Sequence, residues 1–539
     1  MNSKETIFTI FENCKNERRV FDQESEEIVR HLAPQSQGFT TYSAKGDVDR
    51  TNILDATPER AADDLISSMA GFLASPDKVW FKLGVEGEDD PSFEVKQQLN
   101  TATTKILKHF AQARTNFYSA IGKMAEQLVH HGQSFVYCHP TIKGKKKFVR
   151  YCTFPIQECY TQRDAYDEIL YFFRCYKLKK SVFLNEFNLD KSDLNPTEKK
   201  QIQNRSENDE IQILHAILDK DMAQRLGLKP TKEFVSVYYH YECKKILHQD
   251  NLKYFPIAAP YWNLLTNENY GRGPGHKALP EIRVLNEMIQ DNLAAANVMV
   301  RPPMAAMLDY LAAPEQGVDL SPGALVYLTL SNASAATGLI KPEPINTITN
   351  LPISVEMEDR KKMQIKETFF VDLLTDDKRV EMSATESSMR EQSRVMKLTK
   401  PLTNATTHGL APLVNFTLRV LNDWGVVDLD FDLDDLEPVF MTALFDAVNL
   451  NKIQKLERAL VTMANTQNMP PELLAMFEDR DLMEYVFEKF GVDLFLLRSK
   501  EEVQRKQQEL QRTQQAQNLR EVAGASKDLA QAFATGQEI

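Results

Sequence analysis

The sequence has 539 residues, of which 42% are hydrophobic, so it is long enough for several domains with ordinary cores. Its 76 acidic and 64 basic residues give a formal net charge of −12, which argues against a protein that holds nucleic acid tightly by neutralising phosphates. No run reaches the ~18 consecutive apolar residues of a membrane helix, and the N-terminus lacks a signal-peptide pattern.

The first 270 residues are predicted to mix helices and strands. Helices are expected at about residues 5–32, at 56–76 with Thr57 as N-cap and Pro58 in the first helical position, and at 93–131. Segments rich in Tyr, Phe and Val predict strands at residues 79–83, 132–137, 148–152, 158–162, 169–176 and 235–241. The insert at 180–208 is expected to be a solvated helix and loop.

The stretch from Tyr270 to Ala384 is predicted to hold two helices separated by a small polar insert. The first helix is expected to begin at Pro280, since proline lacks an N–H, and to end before Pro302. Its apolar residues recur at helical spacing: Ile282, Leu285, Met288, Ile289, Leu293, Ala296 and Val300. Arg283, Glu287 and Asp291 follow one another at i+4 on another face.

The second helix is expected over Pro352–Leu374, with acidic residues in its first turns and then Lys361, Lys362 and Lys366. The insert between the helices contains one predicted strand, at residues 323–328, and the charged loop TDDKRVEMSA follows the second helix. Two ordinary helices of a bundle fit this pattern, and so does a hairpin that carries a small fold at its tip.

The remaining chain is predicted to be mostly helical. A long helix is expected over residues 385–422, kinked at Pro401 and Pro412 and stopped at Trp424-Gly425. A strand is expected at 426–436, and residues 443–539 are expected to be all helical. Ser499 and Glu502 form a capping-box pattern within that last region.

No established catalytic signature occurs in the sequence. The glycine-rich GRGPG at 271–275 is interpreted as a backbone turn rather than a phosphate cradle, and His130, His131 and His139 as structural residues rather than ligands. Alternating aspartates predict a strand with one wet face rather than a carboxylate metal site: Asp428, Asp430, Asp432 and Asp434. A paired-carboxylate hydrolase stays open, because spacing in sequence does not fix spacing in space.

The six cysteines form no C-x-x-C pair, which predicts neither a disulfide framework nor a zinc site. Reduced thiols are the expected state in a chain synthesised in a cytosol. We expect no metal and no cofactor.

Several collinear segments resemble the portal, or head-to-tail connector, proteins of short-tailed bacteriophages (podoviruses). They include ERAADDLISSMAGFLASPDKVWFKL, EQLVHHGQSFVYCHP, QRDA at residues 162–165 and, most specifically, NYGRGPGHKALPEIRVLNEM. KIQKLERAL and GVDLFLLRSKEEVQRKQQ resemble the family's C-terminal helices. The resemblance spans nearly the whole chain.

The resemblance implies an α+β portal fold with a mixed wing, a two-helix stem, a small clip and a helical crown. The implied parts are wing 1–270, first stem helix with its lead-in 271–302, clip 303–350, second stem helix 351–374, channel loop 375–384, second wing part 385–442, and crown with tail 443–539. Lys378 and Arg379 are the implied DNA-contacting residues of the channel loop. The candidate channel-facing stem residues are Arg283, Glu287, Asp291, Lys362 and Lys366.

The resemblance also implies a structural, non-enzymatic role in the virion, in a protein made in the cytoplasm of the bacterial host. A ring of twelve subunits at one capsid vertex would pass double-stranded DNA during packaging and ejection. Expected partners are the large terminase (the packaging ATPase), tail adaptor and tail proteins, and the major capsid and scaffolding proteins, with no membrane. The alternative is a metal-dependent intracellular enzyme acting on nucleic acid, such as a nuclease using the aspartate-rich strand.

Overall fold

The structure, a computed structural model, describes residues 3–34, 38–40, 53–85, 93–144, 146–307, 321–328, 343–344, 351–371, 397–427 and 433–441. The predicted channel loop, the first part of the predicted long helix (385–396) and the helical crown lie outside these residues. The chain divides into two units, residues 1–87 with 102–444 and residues 88–101 with 445–539. Of the smaller unit, the structure describes residues 93–101, which begin helix α4.

An antiparallel five-stranded sheet forms the centre of the larger unit, in the order β4-β5-β6-β7-β8. Its strands are β4 Cys159–Arg163, β5 Ile169–Lys179, β6 Glu210–Asp219, β7 Phe234–His240 and β8 Lys245–Leu252. Strands β6 and β8 were not predicted from the sequence. The central strand β6 is buried on both faces, so its sequence shows a continuous apolar run instead of alternation.

Two N-terminal helices, α1 Ser3–Glu17 and α2 Arg19–Leu32, occupy the region predicted to be helical. Helix α1 packs Ile7, Phe8 and Phe11 against the sheet, in one cluster with buried residues of β5, β6 and β7. The two helices meet at Arg18, which is buried. Its guanidinium donates to Asp22 at 2.6 Å and to the carbonyl oxygens of Ile156 (2.8 Å), Gln157 (2.9 Å) and Cys159, and so ties the helices to the start of β4.

A second sheet has the order β3-β2-β9, with β2 Phe135–Lys143, β3 Lys146–Phe154 and β9 Ile257–Ala258. Helices α4 Phe93–Phe110 and α5 Phe117–His131 precede it, so the predicted helical region 93–131 is two helices. Helix α3 Thr57–Leu73 begins one residue earlier than predicted. Thr57 is its first residue rather than its N-cap, and Asp55 accepts from the Thr57 N–H at 2.7 Å.

The insert between β5 and β6 folds onto the sheet, so the prediction of a solvated helix and loop was wrong. It contains α6 Lys180–Glu186 and α7 Pro196–Asn204, and a short helix α8 Lys220–Arg225 follows β6. The inserted helices and their connection bury apolar side chains against β6: Phe183, Phe187, Leu189, Leu194 and Ile202. Polar residues around these positions concealed the apolar face in the sequence.

The central stretch contains α9 Pro274–Val300 and α10 Leu351–Thr368. Helix α9 begins at Pro274, so Pro280 lies inside the helix and the predicted start was wrong; its end before Arg301 is as predicted. Between the two helices, β10 Met304–Met307 pairs in parallel with β11 Leu325–Leu328 and antiparallel with β12 Glu343–Pro344. The insert therefore carries a small sheet.

The C-terminal part of the described chain contains α11 Thr399–Ala405, a π-helical segment Thr406–Leu410 and α12 Ala411–Asp423. The helix is thus interrupted between the two prolines, where Pro412 cannot donate the regular bond to the preceding turn. Gly425, with φ +69°, follows its end. Strand β13 Leu436–Phe440 pairs with β1 Phe81–Val85.

The strand predicted at 426–436 was wrong in its described part, because residues 433–435 form a 3-10 turn and the strand starts at Leu436. None of the helices in the described ranges is long and apolar enough to cross a membrane. The described residues combine helices with mixed and antiparallel sheets, which confirms the predicted α+β class.

We predict that Arg18→Met lowers the free energy of unfolding by about 3 kcal/mol, because it leaves Asp22 and three carbonyl oxygens without their donor. The neighbouring Arg19 is exposed, and Arg19→Met is the matched control, with an expected change within about 0.5 kcal/mol. Urea unfolding of the two variants measures the difference. Equal midpoints would show that the buried guanidinium does not hold the N-terminal helices.

Candidate functional site: the helical hairpin and its base

Helix α9 is buried at one end and exposed at the other. Its 27 residues give a length of about 40 Å. All of its buried residues lie in the first half: Pro274, Gly275, Ala278, Leu279, Ile282 and Leu285. From Asn286 to Val300 every side chain is at least partly exposed. Among the described side chains of the paired helix α10, residues 355–368, only Ile365 near its C-terminal end is buried. The hairpin is therefore anchored at its base and accessible along its distal half.

The two helices of the hairpin are joined by a polar contact near mid-length. The amide Nδ2 of Asn292 donates to Oε1 of Glu358. Glu358 also lies 3.9 Å from the Lys362 ammonium on its own helix. This contact fixes the relative register of α9 and α10.

Large apolar side chains lie exposed on both helices. They are Val284, Leu293, Met299 and Val300 on α9 and Val355, Met357 and Met363 on α10. Val300 is 79% exposed, Met363 61% and Leu293 53%. Single exposed apolar residues are ordinary on protein surfaces, but seven of them on one helical hairpin favour a surface that another protein covers.

Two of the five charged residues predicted to face the channel are engaged within the chain. Arg283 forms an ion pair with Glu27 of α2. Lys362 lies 3.0 Å from Asp55, which precedes α3, and this hydrogen bond raises the pKa of Lys362. Both residues hold the hairpin against α2 and the segment before α3.

The other three predicted channel residues are Glu287, Asp291 and Lys366, and each is exposed. Within the described ranges none of them forms an ion pair. The structure therefore does not gather the five residues into one group. Lys378 and Arg379, predicted for the channel loop, lie outside the described residues.

The base of the hairpin is a crossing of two backbones that leaves no room for side chains. Gly132 ends α5 with φ +75°, and an added Cβ there would lie 2.2 Å from the Gly273 nitrogen. A Cβ on Gly271 would meet the Gly132 oxygen at 2.4 Å, and one on Gly275 would meet the His130 oxygen at 2.3 Å. The glycine-rich segment predicted to be a turn forms the lead-in and the first two residues of α9, and it packs against the end of α5.

Polar side chains hold this crossing from both sides. The buried Gln133 side chain donates to the Pro260 oxygen at 3.0 Å and accepts from the Gly271 N–H at 3.3 Å. Arg272 forms ion pairs with Glu24 of α2 at 2.9 Å and with Glu268 at 3.1 Å. Helix α2 therefore helps to hold the start of α9 in place, through the ion pair between Glu24 and Arg272.

The histidines next to the crossing are buried and neutral. Burial lowers the pKa of His130 to about 4, that of His276 to about 4, and that of His131 well below its ordinary value. His139 is exposed on β2, opposite Arg150. Within the described residues no group of three or more His, Cys, Asp or Glu could hold a metal ion.

The aspartate-rich segment does not form the predicted strand face. Asp434 lies in the 3-10 turn before β13. Asp428, Asp430 and Asp432 lie outside the described residues. Sequence reasoning missed Glu27 and Asp55 as partners of Arg283 and Lys362, since both lie far away in sequence and no local pattern connects them.

Comparison with known proteins gives one consistent result. The sequence profile of the family described as "Bacteriophage head to tail connecting protein" matches residues 4–497. The chain is 24% identical over 495 residues to the "Probable portal protein" of Bordetella phage BPP-1, covering 89% of this chain and 86% of that protein. It is 22% identical over 548 residues to the "Portal protein" of Salmonella phage epsilon15, covering 99% and 93%.

Among solved structures, a chain from the virion of a native gene transfer agent particle aligns with 78% of this chain and 89% of its own length. The TM-score of that alignment is 0.35 and the sequence identity is 10%.

We predict that Gly275→Ala destabilises the protein by about 1–3 kcal/mol, because the new Cβ would overlap the backbone at His130. Gly71→Ala in helix α3 is the matched control, since nothing lies within 4 Å of a Cβ built there. The control should be more stable by about 0.5–1 kcal/mol, as expected for alanine in a helix interior. Urea unfolding checks both values, and a stabilised Gly275→Ala variant would contradict the close crossing.

Proposed function

The chain belongs to the family of bacteriophage head to tail connecting proteins, and from this premise we propose how its surfaces serve the portal of a virion. It is a structural component of the capsid, at the vertex where head and tail join, and not an enzyme.

Twelve copies close into a ring, with the hairpins of neighbouring subunits side by side. The observation that carries this proposal is the exposure of Leu293 and Val300 in the distal half of the hairpin and of Met363 nearer its base. One subunit has no surface in the described residues that covers them. Head-to-tail contacts between identical chains close into a ring when the rotation permits, and the family resemblance supplies the number twelve.

The channel of the ring passes double-stranded DNA with weak contacts. Glu287, Asp291 and Lys366 remain available to face it, while Arg283 and Lys362 anchor the hairpin to the wing. Strong basic stripes would hold DNA with salt-sensitive affinity and slow its passage. The loop TDDKRVEMSA adds Lys378 and Arg379, whose charge is nearly balanced by two preceding aspartates.

The small sheet between α9 and α10 is the clip, residues 303–350. It meets the packaging ATPase, the large terminase, during filling and a tail adaptor afterwards. Capsid and scaffolding proteins contact the wing of the ring from outside. The alternative of a metal-dependent enzyme acting on nucleic acid has no support, since the family is structural.

We predict that the double variant Leu293→Glu, Met363→Glu fails to assemble, because the introduced charges would be buried between hairpins. Val182→Glu is the control, since Val182 is 42% exposed on α6, outside the hairpin. Multi-angle light scattering should give a ring mass for the wild type and the control and a subunit mass for the double variant. A ring formed by the double variant would refute the assigned contact.

We predict that Lys378→Ala, Arg379→Ala leaves assembly and unfolding unchanged within about 0.5 kcal/mol, since exposed loop charges contribute little to folding. The variant should retain less packaged DNA or stall late in packaging. Lys229→Ala, Lys232→Ala removes the same charge from an exposed loop of the wing and should package normally. Normal packaging and retention in both variants would remove the basis for the channel-loop role.

A further inference from the structure

Strands β2 and β3 form a hairpin whose tip is strongly basic. The connecting sequence is KGKKK at residues 143–147, with Gly144 at φ +61°. Lys143, Lys146 and Lys147 are exposed. Arg150 is exposed farther along β3, and the Arg114 guanidinium lies 5.4 Å from the centre of the Phe148 ring. In a chain with a net charge of −12, this is a dense local concentration of cations.

The arrangement of these lysines is unfavourable for the hairpin itself. Lys143 and Lys146 are directly opposite each other across the two strands, and Lys147 lies opposite Ile142. Like charges in directly opposed positions destabilise a strand pair. None of the three lysines has an acidic partner among the residues that the structure describes. No ion pair among the described residues therefore offsets the repulsion between these lysines. A bound polyanion would reduce that repulsion.

The tip lies far along strand β2 from the crossing at Gly132. Strand β2 starts at Phe135, close to the crossing at Gly132, and the tip follows eight residues later, about 26 Å along the strand. The third strand of the sheet, β9, pairs only with Val136 and Tyr137 of β2. Beyond that point the hairpin is a two-stranded ribbon, so its tip is accessible to a large partner.

We propose that this tip binds the phosphate backbone of double-stranded DNA outside the channel, without reading sequence. The choice of DNA as the polyanion rests on the proposed function, whereas the basic character of the surface does not depend on it. Lysine ammonium groups contact phosphates as point charges and carry no base specificity.

The chemistry of the tip favours duplex DNA over two other polyanions. Single-stranded nucleic acid needs aromatic stacking platforms, and the aromatic residues of this segment, Phe148 and Tyr151, are buried. Duplex DNA carries one negative charge per ~1.7 Å of its axis, whereas the side chains of an extended acidic peptide are spaced at about 3.3 Å per residue, so a dense cluster of point charges favours the duplex. The contact is therefore electrostatic, confined to the phosphate backbone and dependent on salt.

The test is a fluorescence-anisotropy titration of the assembled full-length chain with a mixed-sequence 30-base-pair duplex at several salt concentrations. The triple variant Lys143→Gln, Lys146→Gln, Lys147→Gln removes the positive charges of the three tip lysines that the structure describes. Lys200→Gln, Lys229→Gln, Lys232→Gln removes the same charge from exposed positions elsewhere in the wing. Light scattering of all three proteins comes first, so failure to form rings is detected separately and counts against the proposed function alone.

The tip variant should bind the duplex at least about tenfold more weakly, and its salt slope should fall by up to ~2.7, or ~0.9 for each lost phosphate contact. The control variant should bind like the wild type. A tip variant that binds as the wild type does would overturn the proposal. Labelled polyglutamate of matched charge that binds through these lysines as tightly as the duplex would also overturn it, and would assign the tip to an acidic protein.

Discussion

The close approach of two backbones at the base of the hairpin is the constraint on which the rest of this structure depends. The end of α5 and the lead-in of α9 pass so near each other that glycine is required at Gly132, Gly271, Gly273 and Gly275. Because main chain lies directly against main chain, no flexible side chain can absorb a change of angle. The direction of α9 relative to α5 is set at this point, and the rest of the hairpin follows that direction.

The interactions along the hairpin divide its length into two parts with different partners. Near the base, ion pairs of Arg283 with Glu27 and of Lys362 with Asp55 connect it to α2 and to the segment before α3. Farther out, apolar side chains are exposed and such intramolecular ties are not seen among the described residues. This division suits the proposed ring, in which the base of the hairpin is held by its own subunit and the distal half meets neighbouring copies. It also explains why charged residues on one helix can differ in role, some anchoring and others free to face a channel.

The sequence predicted those features that depend on local chemistry. The end of α9 before two prolines and the end of α12 at Trp424-Gly425 follow from backbone rules that need no tertiary context. The start of α9 was placed too late because Pro280 and Pro274 both suit a first turn, and only the packing of Gly275 on α5 selects the earlier one. Strand β6 was not predicted because a strand that is buried on both faces shows no alternation of apolar and polar residues.

The candidate site, the helical hairpin, shows the same limit of prediction from sequence. The hairpin itself was predictable from helical periodicity and family resemblance, but the partners of Arg283 and Lys362 were not, since Glu27 and Asp55 meet them only through the fold. The lysine cluster at residues 143–147 was present in the sequence without being recognised. The repulsion within this cluster is evident only from the strand register, which places Lys143 opposite Lys146.

Electron cryomicroscopy of the purified full-length chain tests the central claim most directly. The account predicts closed rings of twelve subunits in which helices α9 and α10 surround the central opening, with Leu293 and Met363 buried between neighbouring subunits. Rings that carry these hairpins on their outer rim, or particles of single subunits at every concentration, would contradict it.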